Sequence, residues 1–323
     1  MRAMVCRAWG APNVLQLENV PSRALRPGEV RIRVRAAGVN FADSLMVGGT
    51  YQVKPPFPFT PGLEAGGEVI ETGDGVPSLR TGQRVLAVLR NGGGYAEEIV
   101  VEAATALPIP ETMDFVTAAA FPVAYGTSHF ALTYRGDLKS GETLLVLGAA
   151  GGVGLTAVEI GKALGARVIA AAGGADKLEV ARSRGADELI DYRGESLRDR
   201  VRELTGGKGA DVVYDPVGGD AFDQALRAVN WEARMLVIGF ASGRIQAVPA
   251  NLILVQRFRN SNHIALTVGW AKSPGTADVT TLGATRFCPR GPTKPRVPTA
   301  WAKAPAVLLN AASRARRLCP PYL

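Results

Sequence analysis

The chain has 323 residues, 47% hydrophobic and 20% charged, with a formal net charge of +8. At roughly 150 residues per domain this predicts about two domains, and the apolar share excludes wholesale disorder. Three cysteines and two histidines (Cys6, His129, His263, Cys288, Cys319) fall at no metal-site spacing, which argues against a zinc enzyme of the usual kind and against a disulfide scaffold.

The opening residues do not read as a signal peptide, because Gly10, Pro12, Gln16 and Glu18 break any apolar run. The expectation is a cytoplasmic protein. The first part of the chain, to about residue 125, reads as short strands separated by turns. Over 29–35 charged residues alternate with Val30, Ile32 and Val34, the period of a half-buried strand. Pro27-Gly28, Gly48-Gly49, Pro61-Gly62, Thr81-Gly82 and Gly92-Gly93-Gly94 mark turns, so a compact β-rich domain is predicted. Residues 115–134 lack charge, but Pro122, Gly126, Thr127, Ser128 and His129 interrupt them. A bilayer span needs about 20 predominantly apolar residues, so this stretch is read as buried soluble structure, with His129 in the core.

Beyond residue 141 the rhythm becomes strand and helix in alternation. Strands are predicted over 143–148, 167–172, 188–192, 211–215 and 234–239, with helices over 151–164, 176–184, 196–204 and 221–229 between them. Repeated βα units imply a doubly wound parallel sheet with helices on both faces, an α/β fold.

The segment Gly148-Ala149-Ala150-Gly151-Gly152-Val153-Gly154 joins the first of these strands to its helix. Glycines there permit a tight turn and close approach of the backbone to a pyrophosphate, and the helix N-terminus supplies free N–H groups to it. Ala150, Gly151, Gly152, Val153 and Gly154 are therefore cofactor-binding candidates. The second strand ends Ala172-Gly173-Gly174, without the acid that an NAD-preferring site uses for the ribose 2′-hydroxyl. Gly173, Lys177 and Tyr192 are instead suited to a 2′-phosphate, so the expected cofactor is NADPH. Cys6 reads as a buried strand residue.

Five segments, Val39-Asn40-Phe41-Ala42-Asp43 with Gly49-Thr50-Tyr51, Pro61-Gly62-Leu63-Glu64-Ala65-Gly66-Gly67, the loop just described, Asp215-Pro216-Val217-Gly218-Gly219 and Val237-Ile238-Gly239-Phe240, occur in an order and spacing that resembles the zeta-crystallin-like quinone oxidoreductases. These are zinc-free members of the medium-chain dehydrogenase/reductase superfamily. The resemblance covers residues 1 to about 255. It implies a GroES-like β domain over 1–125, a Rossmann NADPH-binding domain over 126–255 with the active site between them, and reduction of small-molecule quinones or enones. Asn40 stands where zinc-dependent relatives carry a cysteine, and Leu63 where they carry a histidine. By the family's pattern Asn40 and Tyr51 are the catalytic residues, with Asn40 also beside the nicotinamide. Thr127 lies near the nicotinamide end, and Gly239 and Phe240 pass beneath it. Read by themselves, Asn40 suits a turn and Tyr51 a core position. Asp43 is expected to hold local structure.

The net charge of residues 1–255 is −2 and that of residues 256–323 is +10, with Asp278 as the one acid among the latter. Eight prolines also fall there, and the resemblance ends. Two readings of this irregular basic tail compete. It is either an extension that binds RNA, DNA or another acidic surface, or an out-of-frame replacement of the family's C-terminus; the second is favoured. On the second reading the family's homodimer contact, attributed to a late strand of the Rossmann sheet, is put in question. The alternative function is a catalytically impaired NADPH-binding protein, RNA-binding through its tail. No membrane partner is expected.

Overall fold

The computed structural model describes residues 1–249. The expectations for 256–323 lie outside the described residues, as do the last six residues of the domain expected to end at 255. Two five-stranded sheets carry the fold. In the first, β3 (Glu29–Ala37), β4 (Glu64–Thr72), β5 (Arg84–Val88), β6 (Glu98–Glu102) and β7 (Ala106–Pro108) are antiparallel in the order β6-β3-β4-β5-β7. The alternation predicted over 29–35 holds at its start, where Val30 and Ile32 are fully buried against Val69, Val85 and Ile99. The ends of the chain's first loop pair separately as β1 (Arg2–Val5) with β2 (Gln16–Asn19). Cys6 follows β1 fully buried, bridged to Phe59, as expected.

The second sheet is parallel, with β8 (Thr143–Leu147), β9 (Arg167–Ala172), β10 (Glu188–Asp191), β11 (Ala210–Asp215) and β12 (Val229–Val237) in the order β10-β9-β8-β11-β12. Helices α3 (Gly152–Ala163), α4 (Ala175–Ser183), α5 (Leu197–Leu204) and α6 (Gly219–Ala225) connect them. The three middle strands, β9, β8 and β11, are mainly apolar because both faces are covered. Leu144 and Val146 pack into one core with Val168 and Tyr214, while Leu145 and Leu147 pack into the other with Ile169 and Val213. Each such side chain contributes about 1.5–3 kcal/mol relative to exposure. The order reverses between β8 and β11, and in an open α/β sheet the crevice beyond the strand ends at that reversal is where ligands bind.

The last unit departs from the expectation. The helix predicted over 221–229 stops at Ala225, and the strand predicted from 234 begins at Val229. Val229 already pairs with Ala210, after which the register shifts so that Arg234 faces Val212. Glu232 takes a positive φ of 59° in the bulge. Gly209 permits this early pairing: a Cβ there would sit 2.5 Å from the carbonyl carbon of Val229.

Residues 115–134 form no continuous buried segment. They hold α2 (Phe115–His129), capped by Asp114, whose carboxylate accepts from the Thr117 N–H at 2.7 Å, and a wider π turn over Phe130–Arg135. His129 is exposed rather than in the core, as are Val116, Phe130 and Tyr134. The helix lies between the two sheets. On one side its first turn presses on β4 at Gly66, where a Cβ would come within 2.7 Å of the Phe115 carbonyl oxygen. On the other side the buried Ser128 hydroxyl shares hydrogen bonds with Thr156 of α3 at 2.8 Å and Tyr214 of β11 at 2.7 Å. The expected 125/126 boundary thus falls inside a helix that serves both sheets. Among the described residues no helix is long and apolar enough to cross a membrane.

Candidate active site

A cleft of about 820 Å³ opens between the sheets at the strand-order reversal. Its lining is mainly apolar, with Leu45, Leu63, Val123, Val153, Ile238 and Phe240 among it. Ten of the thirteen residues singled out as site candidates by sequence line it; Gly152, Gly154 and Gly173 do not. Asn40 and Tyr51 stand on the wall of the first sheet; Thr127, on α2, stands between the walls; Ala150, Gly151, Val153, Lys177, Tyr192, Gly239 and Phe240 line the wall of the second.

The glycine loop explains itself by space. Gly148 takes φ 58° to leave β8, and the helix N-terminus that follows leaves its first N–H groups without intrahelical partners. At Gly152 a Cβ would meet nothing within 4 Å, so the bare backbone faces open room. At Gly154 a Cβ would lie 2.3 Å from the Gly148 carbonyl oxygen and 2.9 Å from the Cα of Ala149. Gly154 is buried, so it brings helix and strand together and does not itself line the cleft. The concavity left by these missing side chains, with free N–H groups at its floor, fits a pyrophosphate.

Gly173 does not line the cleft either. It is buried beneath Arg193, whose Nε would be 2.6 Å from a Cβ at that position. Asp191 holds this corner, its Oδ1 accepting from the N–H groups of Gly174 at 3.1 Å and Arg193 at 3.0 Å. Lys177 is exposed and Tyr192 half-buried at the same end of the cleft. Sequence reasoning missed Arg193. The signal was its place directly after Tyr192, in the turn that folds back over the paired glycines.

The opposite wall is organised by buried carboxyls. Asn40 caps α1 (Phe41–Val47), and Asp43 closes a capping box with it, Oδ2 accepting from the Asn40 N–H at 2.8 Å. Asp43 also accepts from the Gly62 N–H at 3.0 Å and the Tyr95 hydroxyl at 2.9 Å. With three donors, it ties α1 to the turn before β4, the local structural part expected of it. Burial pushes its carboxyl above the usual range, against those three hydrogen bonds. Burial likewise pushes the Tyr51 hydroxyl up, which keeps it protonated, while a hydrogen bond from Gln52 opposes this. Glu64, which sequence reasoning quoted but gave no part, is 2% exposed. Its Oε1 accepts from Asn40 Nδ2 at 2.9 Å and its Oε2 from the Val123 N–H at 2.7 Å. Among the described residues no group of three metal-ligating side chains comes together.

Two family models match the chain: "Alcohol dehydrogenase GroES-like domain" over residues 26–111 and "Zinc-binding dehydrogenase" over residues 152–267. The second match runs a dozen residues past Val255, near which the motifs of the sequence resemblance end. The chain is 43% identical over 256 residues to quinone oxidoreductase-like protein 2 of Rattus norvegicus, covering 79% of this chain and 72% of that one. A homolog of that protein from Nematostella vectensis is 42% identical, with 79% and 70% covered. Among solved structures, the Escherichia coli quinone oxidoreductase complexed with NADPH superposes with a TM-score of 0.73 at 32% identity, covering 79% of this chain and 78% of that one. Fold, cleft and these likenesses agree, and the chain belongs to the quinone oxidoreductases of the medium-chain dehydrogenase/reductase superfamily, the group that includes quinone oxidoreductase-like protein 2.

Proposed function

We propose that the protein reduces small quinones or related enones with NADPH, without a zinc ion. The observation that carries this reading is the pairing of two walls across one cleft: a backbone concavity fitted to a pyrophosphate, and a mainly apolar wall with Asn40 and Tyr51 among its polar groups. NADPH, when bound, supplies the hydride; the protein supplies position, exclusion of water and hydrogen bonds. Backbone N–H groups of the loop from Ala150 to Gly154 hold the pyrophosphate. Lys177, Tyr192 and Arg193 surround the 2′-phosphate over the floor made by Gly173. Thr127, Gly239 and Phe240 border the nicotinamide end. Asn40 donates its free amide N–H to the reacting oxygen, and Tyr51, kept protonated by burial, donates a hydrogen bond or a proton there.

The donor set does not fit zinc, despite the name of the matching family model. Asn40 and Leu63 stand at the ligand positions of zinc-dependent relatives, and Leu63 is 8% exposed and packed with Met46 and Phe59. A quinone is already electron-poor, so hydride acceptance needs less polarisation than a simple ketone does. On this reading residues 1–125 carry the substrate wall and 126–255 the cofactor wall. The test is NADPH oxidation by the full chain with a naphthoquinone. Quinone-dependent oxidation that disappears in Gly152→Val supports the reading. Folded protein that binds NADPH and oxidises none of it with any quinone or enone of a panel refutes it.

A further inference from the structure

We propose that Glu64 is a positioning residue for the reduction, holding the Asn40 amide with its nitrogen toward the cleft only while Glu64 is a carboxylate. This rests on the part proposed above for Asn40. The argument begins with what the two oxygens of Glu64 face. Oε1 meets an amide N–H of Asn40 and Oε2 the backbone N–H of Val123, so both sites are taken by donors. Val123 follows Pro122 inside α2. A proline there removes one donor and crowds the carbonyl four residues back, which loosens the turn and leaves a neighbouring N–H to find an acceptor. Glu64 is that acceptor. Its carboxyl lies against Gly38, where a Cβ would sit 2.2 Å from Oε1, so the side chain has no room to retreat.

The Asn40 side chain is then fixed from two directions. The capping box sets the Asn40 side chain against the N–H of Asp43, which donates to the Asn40 backbone carbonyl at 3.0 Å, and one amide hydrogen points to Glu64. The second amide hydrogen is left to offer to the cleft that Asn40 lines. A proton arriving on Glu64 must displace one of two donors. The Val123 N–H belongs to the backbone of a packed helix and cannot turn. The Asn40 amide can turn. Protonation therefore falls on Oε1 and releases Asn40.

The groups facing Glu64 make that protonation accessible near neutrality. Asp43 from α1 disfavours its charge, Tyr95 from the loop before β6 is the other titratable neighbour, and among the described residues no cation is a partner of Glu64. Burial, opposed by the bonds from Val123 and Asn40, brings its pKa to about 7. The carboxylate, and with it the fixed Asn40, is present above that value and lost as pH falls through it.

The experiment uses the full chain labelled with ¹⁵N-asparagine, the Asn40 side-chain signals being identified by their loss in Asn40→Ala. The Asn40 amide signals are followed from about pH 5.5 to about pH 8.5, and naphthoquinone reduction is measured over the same range. The expected result is an Asn40 transition near the Glu64 value, absent in Glu64→Gln. The wild-type kcat falls about tenfold below the same midpoint, whereas Glu64→Gln is pH-flat at the lower rate with its KM for NADPH unchanged. Asn40 signals that do not titrate in the wild type, or that still titrate in Glu64→Gln, overturn the proposal. So does a titrating Asn40 with a pH-independent kcat. A chain that reduces no quinone refutes the proposed function, and the Asn40 titration then still decides whether Glu64 controls that amide.

Discussion

The two walls of the cleft are specified in opposite ways. On the parallel-sheet side the specification is absence: Gly152 leaves backbone bare, Gly154 lets helix and strand close on each other, and the cations at its outer end, Lys177 and Arg193, are exposed. On the antiparallel side it is presence: Asp43 and Glu64 are buried carboxyls that together accept five hydrogen bonds from donors in α1, α2 and the intervening loops. The first wall is thus sensitive to volume and indifferent to charge at its floor. The second is sensitive to charge and protonation at nearly constant volume.

The strongest way to break this contrast is at the glycines. Gly154→Val drives a side chain into the backbone of the strand end and costs about 3 kcal/mol or more of stability, read by urea denaturation. Gly152→Val, two residues earlier, enters open space. Its stability stays within about 0.5 kcal/mol of wild type, while NADPH affinity falls at least about tenfold by fluorescence titration. Equal destabilisation by both would mean that the loop is only a packing element.

The second test addresses protonation. The folded pKa of Glu64, about 7, is raised above its ordinary 4.5 chiefly by burial. The native state therefore keeps a proton that the unfolded chain releases. The stabilisation is full below about 4.5 and is lost as pH rises through about 7, a change of about 3 kcal/mol. Glu64→Gln should lack this component in denaturation series at low and high pH. A wild-type curve parallel to that of Glu64→Gln would remove Glu64 from the account. The smallest effect lies at the exposed end. Lys177→Ala should weaken NADPH about tenfold at low salt, and less at high salt, while leaving NADH affinity unchanged. An unchanged ratio would make Lys177 a solvated helix residue.

The same contrast governs what the sequence made legible. A wall built from glycine and strand can be read along the chain. The run Thr143-Leu144-Leu145-Val146-Leu147 followed by glycines announces a doubly covered strand and a loop, and both were found with bounds shifted by a residue or so. The antiparallel wall depends on pairs far apart in sequence, such as Glu64 with Val123, which no local pattern announces. The helix over Phe115–His129 stayed hidden for a related reason: it packs between two sheets, so its apolar residues trace no single stripe, and Pro122 argues against it locally. His129, expected in the core, ends the helix on the exposed side. The early start of β12 follows from Gly209, whose missing side chain matters only once Val229 lies over it.

That shared helix also bears on how the molecule can be divided. Its first turn rests on Gly66 and its last on α3 and β11, so the two halves are not interchangeable modules joined by a tether. A second half expressed from residue 126 would begin in mid-helix, with Ser128 near a fraying end and the Asp114 cap gone. A second half begun at Asp114 keeps the cap and the whole helix, at the expense of exposing the face that met β4. Any chimaera that exchanges the substrate wall must therefore carry residues compatible with this helix on both sides of the exchange.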